Sequence, residues 1–350
     1  MDYAKQLQKI DKILQKTANR NRAADTQVRI VSDKHGIDYR YESARVRQYH
    51  GASIGKVFAA ALLVALADEN KLSLDQNVSE ILEAKDLEKL FLIDGEDFST
   101  QVTIRQLAMH TSGINDYFES KSSNDSSFIE LVTSQQDQSW TPDELLDYTR
   151  NYQKPVGRPG EKFFYSDTGY ILLGKILEKV TRASYANLLS KRVFEPLGMN
   201  ESYLYDHKDT SHQAIVPLLV NGVDVSQAKS LSCDWAGGGI ITTADDLLLF
   251  QKSLYGGQFG GLIAEQNNFP NIFRSGMHYG FGMMELHFNE FFFLLRGLPK
   301  PKGHIGITAT HMFYDEVNDV HYIMNFGSDK RMIESFRTFI KIVQILKMKS

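Results

Sequence analysis

The chain is nearly without cysteine: Cys233 is the only one in 350 residues. A lone thiol excludes an internal disulfide and a thiolate metal cluster, which leaves Cys233 the part of a small buried apolar residue. A basic excess is missing as well. The 39 Lys and Arg residues stand against 43 Asp and Glu, for a net charge of −4. No positive field is on offer to a nucleic-acid backbone, so no nucleic-acid partner is expected. Long apolar runs are also absent: the longest, Val57 to Ala67, falls well short of the ~20 residues needed to cross a bilayer and reads as a buried core helix. The opening segment, Met1 to Arg22, is charged throughout and sets Leu7, Ile10, Ile13 and Leu14 at helical spacing. That pattern describes an amphipathic surface helix rather than a secretory leader, and the expected location is the cytoplasm.

What remains is ordinary globular material, 42% apolar and 23% charged, long enough for one large domain or two that share a core. Val28 and Ile30, then Ile37, Tyr39 and Tyr41, alternate about Lys34-His35-Gly36, which predicts a β-hairpin. From Leu72 to about Tyr205 the pattern is helical and loop-rich, with Leu-rich segments at 129–132, 142–149 and 170–180 and a turn at Pro155–Gly160. A short helix at 243–254 follows Gly237-Gly238-Gly239, then strand-like runs at 279–288, 291–296, 305–314 and 320–326, and a closing helix at 331–347. Neither end has enough strands to be stable alone. Residues 1–71 and 221–350 are therefore expected to build one α/β (α+β) unit around a mainly antiparallel sheet. Residues 72–220 form a helical insertion in the same catalytic unit.

Ser53-Ile54-Gly55-Lys56 opens the core helix, and its i, i+3 spacing puts Ser53 and Lys56 on one face of the first turn. A serine hydroxyl is a weak nucleophile until a neighbouring base takes its proton, and a helix N-terminus favours the charge that develops. A lysine can be that base when desolvated or close to another cation, its reference pKa being about 10.4. Ser226-Gln-Ala-Lys229 has the same spacing but opens no apolar helix, so it is a decoy. A phosphate-binding loop is the rival reading of Gly51-Ala-Ser-Ile-Gly55-Lys56. It fails because one residue is missing between the glycines and Val57 stands where a hydroxyl should bind Mg²⁺.

Tyr165-Ser166-Asp167 lies on a loop between the Pro159-Gly160 turn and a helix, able to point side chains into a cleft. A phenol of pKa near 10 becomes a proton shuttle beside a cation such as Lys56. Tyr185-Ala-Asn187 sits inside a helical pattern and reads as structural. Gly303-His304-Ile305-Gly306 opens a strand expected to continue through Thr308, Thr310 and Met312. A glycine there permits close approach by a ligand. The Ile307 N–H can pair with that of Ser53 as an oxyanion hole.

In this order the motifs resemble the superfamily of class C β-lactamases, D,D-peptidases and β-lactamase-like esterases, also called penicillin-binding-protein-like. Ser53-x-x-Lys56 matches its nucleophile motif, Tyr165-Ser-Asp167 its Tyr-x-Asn/Asp loop, and His304-Ile-Gly306 stands in place of its Lys-Thr-Gly strand. Thr103-Ile-Arg-Gln-Leu with His110-Thr-Ser-Gly113, Phe194-Glu-Pro-Leu-Gly-Met199 and Trp235-Ala-Gly-Gly-Gly-Ile240 extend the resemblance over about residues 26–345. It implies a β-lactamase/transpeptidase-like fold with a groove between sheet and helical region. Ser53 would form an acyl-enzyme while Lys56 and Tyr165 share the base and acid roles, without metal or cofactor. Asp167, His304, Gly306 and Ile307 would meet the substrate.

Two departures qualify it. Asp167 replaces an Asn and cannot donate as an amide does. His304-Ile305 replaces Lys-Thr, losing a charge and a hydroxyl, each worth about 1.5–3 kcal/mol to a carboxylate-bearing substrate. The expectation is an esterase, amidase or D-aminoacyl peptidase acting on a small ester, amide or peptide. A D,D-carboxypeptidase or β-lactamase is the alternative, and a penicillin-binding sensor that does not turn over is a third reading.

Overall fold

The computed structural model describes residues 3–20, 22–123, 127–211, 214–266 and 269–347. Met1, Asp2 and Asn21, which belong to the expected N-terminal helical segment, lie outside them. Eight strands make one sheet: β1 (Gln27–Ser32), β2 (Ile37–Glu42), β3 (Asn271–Arg274), β4 (Met277–Tyr279), β5 (Met284–Leu286), β6 (Lys302–Gly306), β7 (Thr310–Asp315) and β8 (Val320–Asn325). Their order is β3-β4-β5-β6-β7-β8-β1-β2, and every neighbouring pair is antiparallel. The fold is the mixed α/β, mainly antiparallel arrangement that the residue pattern predicts. The first hairpin joins the C-terminal strands through β1 and β8, with Gln27 opposite Asn325.

Alternation along the strands divides the core between two faces. Val28 and Ile30 of β1, Phe313 of β7 and Tyr322 and Met324 of β8 point to one face. There they meet α1 (Ala4–Arg20) through Ile10 and Leu14, and the closing helix α5 (Met332–Leu346) through Phe339, Ile342 and Val343. Val31, Met312 and Ile323 point the other way, toward α2 (Gly55–Asp68) and α4 (Ala244–Gly256). In α2 the run Val57 to Val64 is buried on every side, as a helix apolar all round must be. The helical region packs on this second face, with α3 (Asp167–Thr181) against α2. No helix among the described residues is long and apolar enough to cross a membrane.

The structure corrects three strand assignments. The run 279–288 is two strands, β4 and β5, because the chain reverses at Gly280-Phe281-Gly282, where Gly282 has φ +68°. The run 305–314 is likewise β6 and β7. The reversal is made by Ile307 to Ala309, with Ala309 at φ +61° and its N–H donated to the Gly306 carbonyl. No glycine, proline or asparagine marks that turn, so the sequence hides it. The run 291–296 is no strand but a helical turn, Phe288–Phe291, followed by Phe293–Leu295. β5 pairs directly with β6, which leaves no edge between them for another strand.

Candidate active site

Ser53 sits in a tight turn, Ala52–Ile54, that runs straight into α2. The turn is held by two hydrogen bonds, Gly51 N–H to the Ile240 carbonyl at 2.8 Å and Ala52 N–H to His50 Nδ1 at 3.1 Å. Ala52 itself lies at φ +47°, a conformation that disfavours a residue bearing Cβ and persists only where the surroundings over-determine it. Those surroundings are glycines. A Cβ on Gly55 would lie 2.8 Å from Gly238 Cα, and one on Gly306 would lie 2.8 Å from Ala52 Cβ. The Gly-rich motif 237–239 and the β6 glycine thus let two segments close on the serine turn. At Gly306 the close approach is that of Ala52 and the Gly51 carbonyl, while the same glycine also lines the cavity that opens on Ser53.

Lys56 is wholly buried, and its ammonium group has three oxygen partners: Ser53 Oγ at 3.1 Å, the Gly237 carbonyl at 2.9 Å, and Asp167 Oδ1 in a close ion pair. Three donors meet three acceptors, the full capacity of an ammonium group. Tyr165 lies over this cation, with Lys56 Nζ 5.0 Å from the ring centroid. Burial first, and then the Asp167 charge, push the phenol well above its usual range. Tyr165 therefore carries its proton at neutral pH, and the expected lowering by Lys56 is outweighed. His110, from the His-Thr-Ser-Gly segment, holds the loop: its ring is 4.2 Å from that of Tyr165, and its Nδ1 accepts the Ser166 N–H at 3.0 Å.

More carboxyls surround the ion pair than the motifs revealed. Asp116 accepts the Asp167 N–H at 2.8 Å. Burial, reinforced by the charge of Asp167, pushes Asp116 and Asp234 up to about 7 and also raises Glu119. These three had no local signature: Asp116 and Glu119 share the loop that follows Gly113, and Asp234 is brought in by another segment. Asp234 alone adjoined a noted segment, the Trp-Ala-Gly-Gly-Gly run.

A cavity of about 250 Å³ opens on Ser53, Tyr165 and Asp167, and on Ile305, Gly306 and Ile307 of β6 and its turn. Glu119, Asp329 and Arg274 supply its other charges. The structure thus brings together Ser53, Lys56, Tyr165 and Asp167, and sets Gly306 and Ile307 on the facing wall. His304 is not among the residues lining the cavity. Opposite Met312 in the β6–β7 ladder it faces α2, fully buried beneath the site, with its ring 6.5 Å from that of Tyr165 and Nε2 3.2 Å from the Tyr279 hydroxyl. Burial and then the Lys56 charge hold it down to about 3, so it is a neutral imidazole. The decoys stay apart: Lys229 pairs with Asp137 at 3.2 Å, and Tyr185 is buried against Trp235. Cys233 is buried, and burial raises its thiol well above the usual range.

Comparison with known proteins gives this arrangement a setting. The family model for Beta-lactamase matches residues 47–332. Penicillin-binding protein 4* of Bacillus subtilis is 27% identical over 249 residues, 66% of this chain and 51% of its own. Protein flp of Staphylococcus aureus is 26% identical over 254 residues, 69% of this chain and 47% of its own. The chain thus spans about half the length of these curated relatives. Among solved structures, D-amino acid amidase from Ochrobactrum anthropi SV3 superposes with a TM-score of 0.80 at 21% identity, covering 98% of this chain and 99% of that one. EstCE1, described as a hydrolase with promiscuous acyltransferase activity, gives 0.74 at 20% identity, covering 98% and 99%. These likenesses carry the fold.

Proposed function

This chain belongs to the Beta-lactamase family, and from that premise we propose a serine hydrolase that cleaves a small ester or amide through an acyl-enzyme on Ser53. The observation that carries the reading is the contact of Lys56 Nζ with Ser53 Oγ at 3.1 Å, where Ser53 lines the cavity. Ser53 Oγ attacks the acyl carbonyl as its proton passes to Lys56, while the proton that Lys56 shares with Asp167 moves onto the carboxylate. Tyr165 gives its phenolic proton to the leaving oxygen or nitrogen and regains one from Lys56. Asp167 then returns its proton to Lys56, so the net transfer is from Ser53 to the leaving group. The N–H groups of Ser53 and Ile307 serve as the oxyanion hole. Water releases the acyl group by the reverse path. Residues 1–71 and 221–350 act as the sheet domain and 72–220 as the helical insertion of this one catalytic unit.

Substrate class follows from the cavity's charges. Three carboxyls, Glu119, Asp167 and Asp329, face it with one arginine, Arg274. His304 is a buried neutral imidazole, and Ile305 offers no hydrogen bond. A substrate carboxylate is disfavoured there, whereas a neutral acyl group or one bearing an ammonium is accepted. D-amino acid amidase among the structural neighbours is consistent with the second kind. A fluorophosphonate should label Ser53, located by peptide mapping. Aryl esters and D-aminoacyl amides should exceed cephalosporins in kcat/KM on the same preparation. Labelling elsewhere, or full activity in Ser53→Ala, overturns the nucleophile. Cephalosporin hydrolysis matching that of esters overturns the substrate class and assigns carboxylate binding to Arg274.

A further inference from the structure

On the solvent side of the β4–β5 hairpin, two histidines and a glutamate converge without any part in the site above. His278 Nε2 lies 3.0 and 3.1 Å from the two carboxylate oxygens of Glu290, and His287 Nδ1 lies 3.1 Å from Oε1 of the same residue. The three donor atoms fall within 4.8 Å of one another. The imidazole rings are stacked 3.9 Å apart with 19° between their planes. We propose that His278, His287 and Glu290 bind a divalent transition cation of the zinc type.

Three features support this beyond proximity. First, the far nitrogen of His287, Nε2, is 2.6 Å from Glu285 Oε1. A carboxylate that takes the distal N–H of a histidine fixes the tautomer whose other nitrogen is a lone pair, the arrangement that backs metal-bound histidines. Nδ1 of His287 then turns a lone pair on a carboxylate oxygen at 3.1 Å, a repulsive contact that a cation held between them, or a proton on that one ring, relieves. Second, the spacing suits a metal. Ligands held about 2.0–2.1 Å from zinc at angles of 90–109° stand about 2.9–3.4 Å from one another. Third, the frame is rigid. His278 is opposite Glu285 in the β4–β5 ladder, the His287 N–H donates to the Gly276 carbonyl at 2.9 Å, and Glu290 Oε2 also accepts the Gly276 N–H at 3.0 Å.

Two imidazoles and one carboxylate select zinc or its transition-metal neighbours over calcium and magnesium, which demand more oxygens. The half-exposed side of Glu290 leaves a fourth position for water. Met277 and Met284, on the opposite face of the same two strands, line the substrate cavity, so the ion clamps the hairpin that forms one cavity wall.

The test is a titration of the tag-free full chain with Co²⁺ and Zn²⁺. One equivalent of Co²⁺ should give the visible bands of a low-coordinate N₂O site, and micromolar Zn²⁺ should displace it and raise Tm, while Mg²⁺ does neither. His278→Ala and His287→Ala should each abolish the bands. Glu285→Gln should weaken binding by about 10–100-fold without removing a ligand. Covalent labelling by a fluorophosphonate reports that each variant is folded, since none touches Ser53. No Co²⁺ bands in the parent chain, or bands that survive the double variant His278→Ala/His287→Ala, overturn the proposal. So does an imidazolium signal in NMR that excess Zn²⁺ leaves unchanged.

Discussion

Among the described residues two cations are buried, Lys56 at 0% and Arg331 at 1% exposure, and they are housed in opposite ways. Arg331 donates to the carbonyls of Phe326 at 3.0 Å, Ala24 at 3.2 Å and Thr17 at 3.5 Å, to the Thr26 hydroxyl at 3.0 Å, and to Glu334 at 2.9 Å. Its partners are mostly backbone, drawn from the end of α1, the approach to β1 and the exit of β8. Glu334 is the one carboxylate among them, and a guanidinium does not release its proton even there. Lys56 meets a hydroxyl, a carbonyl and a carboxylate, with two further carboxyls held up to about 7 close by. A proton can leave that amine and find an acceptor. A buried guanidinium spread over several carbonyls fixes geometry, whereas an ammonium held between a hydroxyl and a carboxylate can pass a proton from one to the other.

The contrast breaks most severely at Lys56. Lys56→Met should lower turnover by about 10²–10⁴-fold, the scale of general acid–base catalysis. Adding Asp167→Asn should recover the stability lost by stranding a buried carboxylate, but no turnover; recovered turnover would show that the lysine is structural too. Arg331→Met should have the inverse profile. It should destabilise by about 3–5 kcal/mol, read by urea unfolding, because it leaves several carbonyls and Glu334 without their donor. The folded fraction should keep kcat within a small factor. Arg331→Lys should restore only part of the loss, since one ammonium cannot span five acceptor residues.

A finer probe is Asp167→Asn alone. The charge removed is what, after burial, raises Asp116 and Asp234, so carboxyl NMR should find both titrating at lower pH. Unmoved titrations would mean that burial alone sets them. The smallest effect lies on the Arg331 side, where His311 is packed against Phe336 with Nε2 2.7 Å from Ser335. Burial holds it down to about 3. Between pH 6.5 and that value the unfolded chain binds a proton that the folded chain refuses, so acid destabilises. From pH 7 to 5 this amounts to about 2 kcal/mol, and His311→Gln should flatten the pH dependence of unfolding by that much.

Much of this was legible in the residues, and the reasons differ by element. α2 and the first hairpin are set by local periodicity, and Ser53, Lys56 and Tyr165 by short motifs. The turn at 307–309 was not legible because Ala309 adopts its left-handed conformation under tertiary constraint. Asp116 and Glu119 escaped notice because a carboxylate in a loop looks like any solvated one until the fold buries it. The burial of His304 was not legible either. Its motif position suggested a substrate contact, but the pleat turns its side chain toward α2, beneath the cavity lined by Ile305 and Gly306.

The pairing of β1 with β8 also dictates when the serine turn becomes competent. Gln27 and Asn325, bonded side by side, are 298 positions apart, and Gly306 must reach Ala52 before the turn at Ser53 has its final shape. Contacts of such long range form late, after the chain has closed its largest loop, and they slow folding relative to local helices. During refolding, α-helical ellipticity should therefore return well ahead of fluorophosphonate reactivity. The nucleophile is made near one end of the chain but becomes chemically distinct only when strands from the other end arrive.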